Sequence, residues 1–69
     1  MIADTELILQ RIEPQFHRMV VLVKLTYRTI DVDYVVERIQ LGLGKIECLK
    51  YFDALEEAKA FYAELGDIA

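Results

Sequence analysis

The stretch "VDYVVERIQL", Val32 to Leu41, decides the fold, because it has two readings. Read with a period of two, Val35, Ile39 and Leu41 share a face with Glu37, and Tyr34, Val36, Arg38 and Gln40 share the other. Read with a period of 3.6 from a cap at Asp31, the residues Val32, Val35, Val36, Ile39 and Leu43 form one stripe. β-Branched side chains lose χ1 freedom against a helical turn and pack well on a pleated surface. Val32, Val35, Val36 and Ile39 are all β-branched, so a strand is expected.

Upstream, "FHRMVVLVKLTYRTI" (16–30) reads as a second strand. Met19, Val21, Val23, Leu25 and Tyr27 alternate with Val20, Leu22, Lys24, Thr26 and Arg28. Its first half is apolar on both faces, which calls for two layers within the chain or for a partner on one face. Downstream, "KIECLKYF" (45–52) reads as a short strand. The "LGLG" between the last two strands supplies glycine for the positive φ of a hairpin connection.

"FDALEEAKAFYAELGD" (52–67) predicts a helix over 54–65. Asp53 stands where an N-cap belongs, with Glu56 three residues later, and Gly66 falls at the expected C′ position. Leu55, Ala58, Tyr62 and Leu65 share a face, with Phe61 beside it. "DTELILQRIEP" (4–14) fits a short helix ending before Pro14, with Leu7, Ile8 and Ile12 inward, or equally an edge strand over Glu6–Ile12. The helix is preferred. The expected architecture is therefore a single α+β domain over residues 1–69. It has a three-stranded antiparallel sheet, the C-terminal helix packed on one face, and a short N-terminal helix or arm. The alternative makes residues 32–43 helical, giving α-β-α-β-α.

Size makes such a domain marginal. A chain of 69 residues buries only about 60% of its unfolded surface. A core of that size rarely supplies more than about 3–5 kcal/mol without a staple. One cysteine, Cys48, cannot form an intrachain disulfide and reads as a small buried hydrophobe. One cysteine and one histidine are too few for a zinc set. Hydrophobic residues make up 55% of the chain. Counted with glycine and without tyrosine, the share still exceeds the roughly 45–50% of an average soluble domain. Association, first of all as a homodimer, is the expected staple.

Net charge is −4, divided as +1 over residues 1–30 and −5 over 31–69. An acidic chain gains little from counterion release, which argues against nucleic acid. The longest wholly apolar run, Met19–Val23, is far short of a membrane span. Asp4 and Glu6 in a start without basic residues do not resemble a secretory signal. A cytoplasmic location is expected.

The motifs are weak. With Gly44-Lys45 as the G-K of a P-loop, the first glycine and the hydroxyl should fall at 39 and 46, which are Ile39 and Ile46. The dinucleotide fingerprint fails at Glu47. Glu13 and His17 stand four apart, but Pro14 breaks a helix that would align them. Asp31 and Asp33 lack the further oxygen ligands and glycine of a calcium loop. Cys48 has no base placed beside it by sequence. No catalytic, cofactor-binding or metal residues are assigned, and no cofactor is expected.

Tyr and Arg are enriched at protein interfaces. With the apolar strand, that makes Val20, Leu22, Tyr27, Arg28, Tyr34 and Arg38 the candidate interface. The expected function is a non-enzymatic protein–protein interaction module: a regulator, an inhibitor or an accessory subunit that occupies a partner protein's surface. Small phage-encoded inhibitors share this size and plain layout, an analogy of class only. The alternatives are a nucleic-acid-binding transcriptional regulator, which needs a helix over 32–43, and a protein that binds a ligand between subunits.

Overall fold

The computed structural model describes residues 2–67, and for Cys48, Gly66 and Asp67 the backbone only. It is an α+β fold, with an antiparallel sheet and one C-terminal helix. The deciding stretch is a strand, β3 (Val32–Gln40). It lies between β2 (Arg18–Tyr27) and β4 (Lys45–Phe52). The helical alternative over 32–43 is thereby overturned: the β-branched run finds a ladder partner on each side.

The N-terminal segment corrects the expectation of a helix or arm. It is a fourth strand, β1 (Ile2–Glu13), paired antiparallel along β2, so the sheet order is β1-β2-β3-β4. A short helix in isolation is marginal in water. The long β2 offers a whole edge of unpaired backbone groups, which β1 satisfies. Pro14 ends the segment in either reading. Here it opens a single 3₁₀ turn, Pro14–Phe16, closed by the His17 N–H donating to the Pro14 carbonyl at 3.1 Å.

Both edge strands are irregular, β1 at Ala3 and again at Ile8, β4 once. Leu7 stands opposite Val23 and Leu9 opposite Leu22, so Ile8 is the surplus in β1. Arg38 stands opposite Cys48 and Ile39 opposite Ile46, so Glu47 is the surplus in β4. Such bulges twist a strand and spoil its outer row of hydrogen-bonding groups.

The helix α1 (Leu55–Asp67) lies across β2, β3 and β4. Its first bond runs from the Ala58 N–H to the Ala54 carbonyl at 3.2 Å. Ala54 therefore opens the helix rather than Asp53, and the helix continues through Gly66. Ala58, fully buried, lets the helix approach the sheet closely. The core beneath it is Val20, Leu22 and Val36 from the sheet with Ala58 and Leu65 from the helix. Ile8, Tyr34, Phe52, Leu55, Phe61 and Tyr62 ring it. The Phe52 and Phe61 rings meet at 5.4 Å.

The second and third of the three hairpin connections differ in strain. In the β3–β4 connection, Gly42 and Gly44 both have positive φ, at 87° and 66°, as a glycine hairpin requires. A Cβ on Gly42 would lie 3.3 Å from the His17 imidazole. In the β2–β3 turn the positive φ, 63°, falls on Ile30, a β-branched side chain that is 87% exposed. Left-handed backbone costs such a residue about 1–2 kcal/mol, and no burial offsets it. Glycine returns part of that gain as unfolded-chain entropy. Ile30→Gly should therefore stabilise the protein by about 0.5–1 kcal/mol, raising the melting temperature by a few degrees. A lower melting temperature would mean that the Ile30 side chain makes a stabilising contact at the turn.

Candidate interaction face

Alternation along the strands sorts the side chains of the sheet by chemistry. Val20, Leu22 and Val36 point to the helix, so their neighbours point away from it. Four rows cross this open face: Ile12–Met19–Ile39–Ile46, Gln10–Val21–Glu37–Leu49, Leu7–Val23–Val35–Tyr51, and Thr5–Leu25–Asp33. The bulge at Ile8 keeps both Leu7 and Ile12 on this side. Val35 is 2% exposed and Val21 8%. Around them Leu7, Ile12, Ile46, Leu49 and Tyr51 are exposed. Among the described residues, no element covers this face.

The basic side chains go the other way. Arg11, Arg18, Lys24, Arg38, Lys45 and Lys50 all stand in rows with the helix-facing set. Arg11 lies 4.2 Å over the Tyr62 ring, and the Lys50 ammonium 5.0 Å from that of Phe61. The open face carries two charged side chains in its rows, Glu37 and Asp33, both acidic. Asp33 accepts a hydrogen bond from the Tyr27 hydroxyl at 2.9 Å, which holds that hydroxyl above its ordinary pKa. Glu37 is half-buried between Val21 and Leu49, and its carboxylate makes no hydrogen bond or ion pair among the described residues.

The residues expected at an interface are thus scattered. Val20 and Leu22 are fully buried beneath α1, so they form core rather than a docking surface. Tyr34 packs on the same core. Arg38 lies on the helix side, its Nε 4.0 Å from Glu47 Oε1 and without a hydrogen-bond partner. Tyr27 is on the open face and Arg28 in the exposed turn after β2. Sequence reasoning missed Leu7 and Ile12, because β1 was read as helical, and passed over Ile46, Leu49 and Tyr51. The signal that could have chosen the face is charge. The helix is acidic, with Glu56, Glu57 and Glu64, and it lies on the side of the sheet that carries the basic residues.

The other candidates are committed elsewhere. Glu13 pairs with Arg18 and Arg11, Asp31 accepts from Thr29, and His17 lies beside Gly42. The expected role of the Cys48 thiol lies outside the described atoms. Among the described residues, no group of three or more His, Cys, Asp or Glu is placed to hold a metal ion, and no helix is long and apolar enough to cross a membrane. Comparison with protein-family models, with curated proteins and with solved structures finds no match.

Proposed function

We propose that this protein is a non-enzymatic interaction module, a regulator, inhibitor or accessory subunit, that works by laying the open face of its sheet on a protein partner. The observation that carries the reading is the uncovered apolar face. Four strands by four rows span roughly 20 by 25 Å, on the order of 500 Å². Eleven of the fifteen positions in those rows are apolar, so the apolar part falls within the size range of the largest patches on monomers, which are often functional. It also suits one side of a small protein interface. The bulges in β1 and β4 blunt both edges, which favours the face over strand-to-strand addition.

The nucleic-acid alternative needs a helix over 32–43, where residues 32–40 are β3 and 41–43 lie in the turn after it. The test is affinity purification from the native host with wild type and Leu49→Asp side by side. Leu49 is 46% exposed, so the substitution leaves the core intact. A protein retained in stoichiometric amount by wild type and lost with the variant is expected. A wild-type chain that retains nothing and sediments as a monomer of 8.0 kDa would overturn the reading.

A further inference from the structure

We infer that the occupant of the open face is not a second copy of this chain but a protein segment of opposite charge: an apolar surface that brings a lysine or arginine to Glu37. The inference rests on the interaction-module reading and adds the chemistry of the partner. Glu37 sits near the middle of the apolar rows, flanked by Val21 and Leu49. A carboxylate can only accept hydrogen bonds. Covering it with an apolar surface strips its water and returns nothing, a large cost unless a cation arrives with the partner.

The sheet cannot supply that cation. Every basic strand residue is on the helix side, and the Tyr27 hydroxyl is committed to Asp33. A second copy docked open face to open face cannot supply it either. Two open faces packed together would place Glu37 and Asp33 of each copy in one apolar layer without a counter-charge. Like charges juxtaposed in this way are how interfaces reject the wrong partner. The same arrangement rewards a partner whose apolar surface is broken by one basic side chain. Arginine would suit best, since its fork can engage both carboxylate oxygens.

The test is a selection from an mRNA-displayed library of random peptides against the full chain, run on wild type, Glu37→Gln, Glu37→Lys and Leu49→Asp. Circular dichroism first confirms that each variant is folded, and Tyr51→Ser replaces Leu49→Asp if the latter is not. Wild type should enrich apolar peptides carrying Lys or Arg. Glu37→Lys should shift the enrichment to Asp or Glu. A synthesised wild-type binder should weaken by at least about thirtyfold on Glu37→Gln, the low end for uncovering one member of a buried charge pair. Binders without a basic preference, or indifferent to Glu37→Gln, would overturn the charge assignment and leave the face standing. Binders that hold equally to Leu49→Asp, or no binders at all, would overturn the face itself. A wild-type dimer in sedimentation equilibrium that Leu49→Asp dissociates would make the second copy the occupant and overturn the inference.

Discussion

Leu22→Asp should unfold this protein, while the same change at Leu49 should not. Leu22 is fully buried at the centre of the core, opposite Val36 on β3, with α1 above it. Losing a buried leucine side chain alone costs about 2–5 kcal/mol. Burying an unpaired carboxylate in its place adds several kcal/mol more. A domain of this length has roughly 3–10 kcal/mol of stability in total. Leu49 lies on the other side of the sheet and is 46% exposed, so its replacement meets water. The two variants carry one chemical change on opposite faces, and their contrast reports which face the helix covers. Far-UV circular dichroism and urea titration read it directly. A cooperative unfolding transition retained by Leu22→Asp and lost by Leu49→Asp would mean that α1 packs on the opposite face.

That contrast also marks where the sequence stops being legible. The period-two pattern of β2 separates Met19, Val21 and Val23 from Val20 and Leu22 without saying which set meets the helix. Both sets are apolar, and the choice is made by register and by the route of the chain. Phe52 stands opposite Tyr34 and is three residues short of α1, so the face it shares with Tyr34, Val36 and Leu22 is the one the helix closes on. The periodic helix and the glycine hairpin were readable because their signals are local. Asp53 was readable as the neighbourhood of the helix start and not as its cap. The segment Asp4–Glu13 leaves the choice open, since Leu7, Ile8 and Ile12 suit either period: the preferred helix is wrong and the edge strand over Glu6–Ile12 falls within β1. What makes it a strand is the free edge of β2, a tertiary partner that no local window contains. Because β1 was misread, the exposed Leu7 and Ile12 were absent from the expected interface.

The interaction that fastens β1 to β2 at the turn end of their hairpin is a buried charge cluster, and Arg18→Ala should cost about 3–5 kcal/mol, the usual penalty for leaving one buried charge uncompensated. Glu13 is 6% exposed and Arg18 8%. Arg18 Nε donates to Glu13 Oε1 at 3.0 Å, and Arg11 Nε to Oε2 at 3.4 Å. The Arg18 guanidinium also lies 4.4 Å over the Phe16 ring in the 3₁₀ turn, so the cluster holds the turn as well. Burial pushes the Glu13 carboxyl up, but the hydrogen bonds and charges of the two guanidinium groups outweigh it and leave the group below its ordinary value of 4.5. The sign follows. The unfolded chain takes up this proton more readily than the folded one. The stabilisation is therefore fully present above about pH 4.5 and is lost as pH falls through the lower, folded value. Urea midpoints measured downward from pH 7 should fall for wild type below that point and stay flatter for Glu13→Gln. Replacing both charges, as in Glu13→Leu with Arg18→Met, should recover much of what Arg18→Ala loses, because an apolar pair leaves no charge to compensate. Equal acid sensitivity in wild type and Glu13→Gln would show that the cluster does not set the acid limit. A double variant less stable than Arg18→Ala would show that the pair is worth more than the packing it displaces.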